Sequence, residues 1–469
     1  MFVLMVIVFV LGYAAIALEH PLKVDKAPTA LVLGMLMWIL FVIGKADILG
    51  LVNNAGEFVS QAWREYLHHE GIHNPTTKDM FGFITHHEVL HHLAEISTIL
   101  FFLLGAMTIV ETIDQHQGFK LITDKIKTTN KVKLLWILSI LTFFMSAALD
   151  NLTATIVLVA LLRKLIADQK TRWFFAAMVV LAANAGGAWS PIGDVTTIML
   201  WIGGQVTAGN IIAHVILPSI ITMIVPVIIL TVTMKGNVER PVLSDEDSKD
   251  YTTPFERRLI LIMGVCGLLF VPVFKTLSHL PPYMGMLFSL GVIWVTTEIM
   301  HRNKSAEYRK KLTVINVIKK VDIATIFFFM GILTAVSAMQ SAGHLTLLAG
   351  WLNDNVGNIY IINLIIGVLS AIVDNVPLVA GAMGMYEIAP AGAVGYEALF
   401  MVDGQFWEFL AYCAGTGGSI LIIGSAAGVA AMGMEKIDFI WYMKKISLLA
   451  LAGYLAGAAV YYFQMMLIA

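Results

Sequence analysis

Charged residues are scarce in this chain of 469 residues: they make up 13% of it, whereas hydrophobic residues make up 58%. Because soluble domains carry about 25% charged residues, this composition excludes an ordinary soluble protein. The apolar runs have the length and the Leu, Ile, Met, Ala and Phe content of single membrane helices, without the short alternating segments of a membrane barrel. The sequence therefore predicts an all-α, polytopic membrane protein.

Cysteine is scarce as well. The chain holds only Cys266 and Cys413, both inside apolar segments, which excludes a disulfide framework and a thiolate metal cluster. A formal net charge of -2 gives no reason to expect a nucleic-acid partner. The two cysteines are interpreted as small core residues.

Positive charge is missing from the first residues. No Lys or Arg precedes Lys23, so the apolar residues 1–18 lack the positively charged start of a signal peptide. They are interpreted as a first membrane helix, and the alternative is a signal peptide cleaved near Ala15-Ile-Ala17.

Long apolar runs predict the membrane spans, which lie near residues 1–18, 28–44, 96–114, 173–204, 210–234, 256–274, 282–300, 322–340, 406–433 and 440–466. Residues 133–166 and 357–390 differ because each carries Asp-Asn near its midpoint. This leaves arms of roughly 16 residues, or about 25 Å of helix, against a hydrocarbon core of about 30 Å. Each is predicted to be a re-entrant hairpin with Asp-Asn at its tip; the alternative is two short full spans joined by a loop.

Three segments of the chain recur half a chain later, which indicates an internal repeat. The matching pairs are Ser146-Ala-Ala-Leu-Asp150-Asn151 with Ser370-Ala-Ile-Val-Asp374-Asn375, Gly186-Gly187 and Gly193-Asp194 with Gly417-Gly418 and Gly424-Ser425, and Glu95-Ile-Ser-Thr-Ile with Asp322-Ile-Ala-Thr-Ile. The predicted organisation is N-terminal helices and a His-rich segment at 1–94, a first repeat at 95–234, a linker with scaffold helices at 235–321, and a second repeat at 322–469.

Basic residues predict that the two repeats are inverted in the membrane. Lysines between 120 and 133, and basic residues between 163 and 172, flank the first hairpin, so both of its ends should face the cytoplasm. Between Lys320 and Lys436 there is no Lys or Arg, so the second hairpin should open to the opposite side. Inverted repeats with polar, Gly-rich interruptions are typical of secondary transporters, whose ion site lies where the repeats meet.

The two hairpin tips each carry a carboxylate, Asp150 and Asp374. A charge in the membrane costs about 2.5 to 3.5 kcal/mol on insertion scales, so these acids are expected to face a polar cavity. The alternative is a helix cap, since Asp accepts hydrogen bonds from free N–H groups at helix starts.

Two further predicted spans contain a break. In 173–204, the Gly residues and Pro191 interrupt the helix and free backbone carbonyls. In 406–433, the corresponding segment has Ser425 where the first repeat has Asp194. The alternative is that these small residues only allow close helix packing.

Tips and breaks together offer carboxylates, amides and hydroxyls without a Lys or Arg. The candidate cation and proton ligands are Asp150, Asn151, Thr153, Asn184, Asp194, Thr196, Thr197, Asp374, Asn375, Thr416, Ser419 and Ser425. Such oxygens suit a hard cation and repel an anion. Desolvation and mutual repulsion favour protonation of the acids, so protons and a cation should compete for one site, as antiport requires.

The Asp-Asn tips, the segment from Asn184 to Thr197 and the lead-in His91-His-Leu-Ala-Glu-Ile-Ser97 resemble the NhaD-type sodium/proton antiporters of the ion transporter superfamily. The likeness covers the chain from about residue 86 onward. It implies exchange of Na⁺ or Li⁺ for H⁺, a homodimer with scaffold and mobile parts, and elevator-like movement. It also implies an ion site formed by Asp150, Asn151, Asp194, Thr196, Thr197, Asp374 and Asn375, with Glu95 and Asp322 as further acids and Ser146 and Ser370 as secondary candidates.

Histidines cluster between residues 68 and 92. His87-Glu88-Val-Leu-His91 matches the H-E-x-x-H zinc pattern, but the sequence offers no convincing third ligand, so no zinc is expected. His86, His87, His91 and His92 titrate near neutral pH and are candidate pH sensors; the alternative is a solvated, interfacial face.

The predicted function is a Na⁺ (or Li⁺)/H⁺ antiporter of a bacterial cytoplasmic (inner) membrane, surrounded by lipid, without a cofactor and favoured at alkaline pH. The first alternative is an anion carrier for a dicarboxylate or an arsenite-like oxyanion, which the tip carboxylates and the missing Arg disfavour. The second is a membrane zinc metalloprotease, which would depend on His87, Glu88 and His91 instead of the aspartates.

Overall fold

The computed structural model describes residues 1–52, 56–241, 252–302, 304, 305, 309 and 312–468. The helices of the first part are α1 Phe2–Ala17, α2 Glu19–Leu22, α3 Lys26–Ile43, α4 Lys45–Leu49, α5 Gln61–Glu70, α6 Thr77–Gly82, a π-helix Phe83–Glu88, α7 Val89–Gln115, α8 Lys120–Thr123, α9 Lys131–Leu149, α10 Asn151–Leu165, α11 Gln169–Ala188, α12 Val195–Ile202 and α13 Ala208–Thr233. Those of the second part are α14 Pro254–Ser278, α15 Pro282–His301, α16 Val314–Ile318, α17 Ile323–Ser341, α18 His344–Asn355, α19 Ile359–Leu369, α20 Asn375–Met385, a 3₁₀-helix Glu397–Phe400, α21 Gln405–Gly417, α22 Ala426–Glu435, α23 Phe439–Lys445 and α24 Ser447–Ile468. The predicted all-α class is confirmed.

Long apolar helices identify a polytopic membrane protein, as predicted. Within the described residues, eight candidate spans are long and apolar enough to cross a membrane: Lys26–Ile43, Thr77–Gln115, Lys131–Leu149, Ala208–Thr233, Pro254–Ser278, Pro282–His301, Ile323–Ser341 and Ser447–Ile468. The predicted first span, α1, is a shorter apolar helix of 16 residues.

One compact unit comprises Met1–Leu100, Asp322–Ile362 and Val376–Pro390. Its centre is the packing of α3 against α17, where a Cβ added to Gly34 would lie 2.5 Å from the carbonyl oxygen of Gly331. The indole of Trp38 donates to the carbonyl of Thr334 at 2.9 Å. Small residues thus let these two helices pack backbone to backbone.

The other compact unit comprises Phe101–Val321, Asn363–Asn375 and Ala391–Ala469. It contains the Asp-Asn tips and both helix breaks. Helix α13 packs against α24 at Gly453, whose added Cβ would lie 2.4 Å from the carbonyl oxygen of Thr222. The predicted repeat boundaries at 94, 234 and 321 remain a prediction.

The arms of the predicted hairpins are unequal in length, which corrects the expectation of about 16 residues each. Helix α9 has 19 residues because the Asn130 side chain caps it at the amide of Lys133, so the helix includes its basic start. Helix α10 has 15 residues, whereas α19 and α20 have 11 each. Because α9 is itself long enough to cross a membrane, the re-entrant path remains a prediction.

Candidate ion-binding site

Asp194 lies at the break between α11 and α12 and is 1% exposed. Its Oδ1 accepts hydrogen bonds from the amide of Thr196 at 3.0 Å and from the Thr196 hydroxyl at 2.9 Å. The carboxylate therefore caps α12, where the free N–H groups of a helix start stabilise negative charge.

Close backbone contacts bring the first Asp-Asn tip against this break. A Cβ added to Gly186 would lie 2.1 Å from the carbonyl oxygen of Phe143, and one added to Gly187 would lie 2.4 Å from that of Gly193. A larger residue would collide with backbone at both positions. Gly186 and Gly187 do not interrupt the helix as predicted, because α11 continues to Ala188. Gly186 instead allows α9 to touch α11, which agrees with the packing interpretation of these residues.

Asparagines from both tips point at Asp194. Asn151, the first residue of α10, donates from Nδ2 to Asp194 Oδ2 at 2.6 Å and to Asn184 Oδ1 at 3.0 Å. Asn375, the first residue of α20, has its Nδ2 3.4 Å from each carboxylate oxygen of Asp194. Both Asn side chains are buried, so the tips of the two halves meet at one carboxylate.

Asn184 extends this network to the second broken helix. Its Nδ2 donates to Ser419 Oγ and to Ser425 Oγ, each at 2.9 Å. All three side chains are buried. A continuous set of amide, carboxylate and hydroxyl groups therefore joins the first predicted repeat to the second.

The two tip carboxylates, Asp150 and Asp374, act on Asp194 through their charges. Asp150 accepts from the amide of Thr153 at 2.7 Å and from its hydroxyl at 2.8 Å, so it does cap α10. Within the described residues, no Lys or Arg forms a salt bridge with Asp150 or Asp194, so no basic side chain neutralises either carboxylate.

Four of the predicted ligands bind backbone carbonyls instead of joining the network. Ser146 donates to Ala183 at 2.5 Å and Ser370 to Ala414 at 2.9 Å. The hydroxyl of Thr416 donates to Tyr412 at 2.6 Å, and that of Thr197 to Ala188 at 3.4 Å. The sequence analysis did not predict a role for Ser190. Its hydroxyl, at the break, donates a hydrogen bond to the carbonyl of Ala147 at 2.5 Å.

The further predicted acids Glu95 and Asp322 belong to the compact unit that contains Met1–Leu100 and Asp322–Ile362. Asp322 caps α17 by accepting from the amide and the hydroxyl of Thr325 at 3.1 and 2.7 Å. Glu95 contacts His92 at 3.2 Å and His91 at 3.4 Å. Their role in ion binding remains a prediction.

The acid of the His-Glu-x-x-His pattern in the histidine-rich segment, Glu88, is buried. Glu88 is 4% exposed and accepts from the hydroxyl of Ser341 at 2.5 Å, and His87 Nδ1 lies 3.0 Å away. His87, His91 and His92 line a cavity of about 430 Å³. In the part of the chain that the structure describes, no three His, Cys, Asp or Glu side chains converge as metal ligands. Sensing of pH by these histidines and by His86 remains a prediction.

Apolar spanning helices, helix breaks and a buried carboxylate held by neutral amides define a multi-pass membrane transport protein. The family model described as citrate transporter (CitMHS) matches residues 5–402.

Three proteins to which this chain is similar are named sodium/proton antiporters. Sodium/proton antiporter 1 of Arabidopsis thaliana is 43% identical over 98% of this chain and 72% of its own length, and Sodium/proton antiporter 2 of the same plant is 41% identical over 97% and 98%. The Na⁺/H⁺ antiporter NhaD of Alkalimonas amylolytica is 26% identical over 97% and 89%. The chain therefore belongs to the citrate transporter family, and its resemblance to the NhaD-type sodium/proton antiporters is confirmed.

Proposed function

We propose that this protein exchanges Na⁺ for H⁺ across a membrane, with Li⁺ as a second cargo, at the site around Asp194. The observation that carries the proposal is a buried carboxylate that receives amide donors from both tips and forms no salt bridge with Lys or Arg within the described residues. The names of the antiporter relatives support the same cargo.

The chemistry of the site favours two alternative occupants. A buried charge without a partner is costly, so Asp194 gains from either a bound cation or a proton. Rotation of the Asn151 and Asn184 amides would turn their oxygens toward a cation, and the Ser419 and Ser425 hydroxyls could add further oxygens. Since each occupant excludes the other, Na⁺ binding releases a proton.

Competition of this kind predicts a preference for alkaline conditions. At higher pH fewer protons compete for Asp194, so the affinity for Na⁺ rises. Exchange should therefore increase from neutral to alkaline pH and weaken in acid, until proton supply becomes limiting at the alkaline end.

An elevator-like movement requires that tips and broken helices move as one body. The hydrogen-bond network around Asn184 supports this, and so does a second connection at the end of α22. There the 2% exposed Glu435 pairs with Arg163 and with Arg172, each at 2.8 Å. We propose this movement together with a homodimer and a bacterial cytoplasmic membrane location.

A second candidate function is favoured by the family description, which names a citrate carrier. An anion would have to approach the carboxylates of Asp150, Asp194 and Asp374, which repel it. The absence of a salt bridge from Lys or Arg to Asp150 and Asp194 among the described residues also disfavours it. Cation exchange therefore accounts for the site better.

The test uses purified protein in sealed liposomes with a trapped pH dye, to which Na⁺, Li⁺, K⁺ or citrate is added outside. Asp194→Asn is the informative variant because Asn also caps helices, so it removes the charge and keeps the cap. Asp168→Asn is the matched control, since Asp168 caps α11 at the amide of Thr171 at 2.7 Å and is exposed.

Proton movement on Na⁺ addition in the wild type and in Asp168→Asn, and its loss in Asp194→Asn, would support the proposal. A response to citrate alone would establish the anion carrier. Full exchange by Asp194→Asn would show that Asp194 only caps α12 and does not bind the transported ions.

A further inference from the structure

Glu408 is a second buried carboxylate with no part in the network around Asp194. It lies on α21, near the start of the second broken helix, and is 1% exposed. Its Oε1 is 2.8 Å from Nδ1 of His214, and its Oε2 accepts from the hydroxyl of Tyr461 at 2.8 Å. The carboxamide of Asn210 also donates to Oε1.

The charge of this cluster depends on one proton. Among the described residues, no Lys or Arg forms a salt bridge with Glu408. The titratable groups that face it are His214 on α13, Tyr461 on α24 and Asp403 in the preceding loop. With a protonated imidazole the Glu408–His214 pair is neutral, whereas with a neutral imidazole it carries an unpaired buried charge, which is costly. The pair is therefore built to hold a proton.

The pair also connects the surface to the interior. The His214 side chain is 26% exposed, whereas that of Glu408 is 1% exposed. An imidazole can accept a proton from water at Nε2 and release one from Nδ1 to a carboxylate, so the charge balances; a ring flip then restores the first state. This is the geometry of a proton entrance.

Helix α21 leads from this entrance to the ion site. Glu408, Tyr412 and Thr416 follow one another at intervals of four residues and share one helix face, and the helix rises about 12 Å from Glu408 to Thr416. Next to Thr416, a Cβ added to Gly415 would lie 3.9 Å from Oδ2 of Asp194. At the distance of about 12 Å along the helix, the charge of one site changes the ion affinity of the other site by about tenfold.

The basic residues near these helices indicate which side the entrance faces. Lys235 follows α13, Lys436 follows α22, and Lys444 and Lys445 precede α24. His214, Glu408 and Tyr461 each lie toward the other end of the corresponding helix or broken helix. By the positive-inside rule, the cluster faces the side of the membrane opposite the cytoplasm. During Na⁺ export, protons enter from that opposite side.

We infer that Glu408 and His214 form a second proton-binding site, which passes protons to the ion site around Asp194 and does not bind Na⁺. This inference rests on the proposed Na⁺/H⁺ exchange. Glu408 binds the proton in this account and has no contact with the cation.

The experiment compares two modes of transport in the same liposomes. Na⁺/H⁺ exchange is measured with a trapped pH dye, and Na⁺/Na⁺ exchange with radioactive Na⁺, which requires no proton. Glu408→Gln should slow Na⁺/H⁺ exchange by about 100-fold, the lower end of the contribution of a proton-transfer group, and leave Na⁺/Na⁺ exchange within about twofold. The control is Asp438→Asn, an exposed helix cap of the same half, which should leave both modes unchanged.

His214→Gln keeps a hydrogen-bond donor for Glu408 and removes the imidazole, so it should slow the proton-dependent mode alone. This variant also decides the matter if Glu408→Gln fails to insert. Equal loss of both modes, or no loss in either, would overturn the inference. A wild type that moves no protons on Na⁺ addition would instead overturn the proposed function.

Discussion

The two broken helices have the same backbone conformation at their breaks and differ in the charge of the residue that lies there. Asp194 starts α12 with φ -146° and ψ 144°, and Ser425 starts α22 with φ -144° and ψ 153°. Each side chain caps its helix, Asp194 at the amide of Thr196 and Ser425 at that of Gly428. The same local structure thus places a carboxylate in one half and a hydroxyl in the other.

Other contacts recur in both halves. Added Cβ atoms on Gly186 and Gly417 would lie 2.1 and 2.0 Å from the carbonyl oxygens of Phe143 and Gly367. Ser146 and Ser370 each bond a carbonyl of the neighbouring broken helix. The comparison teaches that glycines and serines maintain the shared architecture, whereas the Asp194 and Ser425 difference sets the charge of the site.

The largest effect is expected from removing the charge that distinguishes the halves. Asp194→Asn should reduce Na⁺/H⁺ exchange at least about 100-fold, because breaking a buried charge interaction costs about 3 to 5 kcal/mol. Initial rates in liposomes at several Na⁺ concentrations provide the measurement. Exchange near the wild-type rate would mean that the two halves do not differ in the way proposed.

The second largest effect is expected from changing the glycines at which helices pack closely in both halves. Gly186→Ala and Gly417→Ala should both destabilise the fold by about 3 kcal/mol, since an added methyl group meets backbone that cannot move freely. Thermal unfolding in detergent measures this. Gly433→Ala is the control, because nothing lies within 4 Å of a Cβ added there. A large effect in only one half would show that the architecture is not shared.

A smaller effect is expected at the first tip, where Asp150 has the left-handed φ of 102°. Asp150→Gly and Asp150→Ala both remove the carboxylate, but only glycine relieves the strain, which costs about 1 to 3 kcal/mol. Asp150→Gly should therefore be more stable than Asp150→Ala by at least about 1 kcal/mol, while neither exchanges Na⁺ at the wild-type rate. Chemical unfolding of both variants tests the order, and equal stability would contradict the strain.

The smallest effect is expected at the counterpart of Asp194. Ser425→Ala removes a hydroxyl that caps α22 and accepts from Asn184, a contribution of about 1 kcal/mol. The KM for Na⁺ should rise about fivefold, with the maximal rate little changed. Loss as complete as in Asp194→Asn would show that the hydroxyl matters as much as the charge.

Much of the site was predictable from sequence because its residues occur in short local patterns. Asp-Asn tips and Gly-rich breaks appear within a few residues of each other, so Asn151, Asn184 and Asp194 could be named before their contacts were seen. That two asparagines converge on Asp194 was not predictable, since this depends on the close approach of α9 to α11 and of α19 to α21.

Other features of the structure were not predicted from the sequence, because they depend on residues outside the local sequence pattern. The predicted lengths of the hairpin arms were taken from the apolar runs. In the structure, the Asn130 cap extends α9 into polar sequence. Helix α18 also lay outside the predicted spans. Glu408 did carry a signal, an acid inside an apolar segment, but its partner His214 is provided by a distant helix.

The most direct test of the central claim is calorimetric titration of purified protein with Na⁺ in buffers of different ionisation enthalpy. If Asp194 is shared by both ions, the binding heat will depend on the buffer because Na⁺ displaces a proton, and Asp194→Asn will neither bind Na⁺ at comparable affinity nor release that proton. Binding without proton release, or equal binding by Asp194→Asn, would contradict the account.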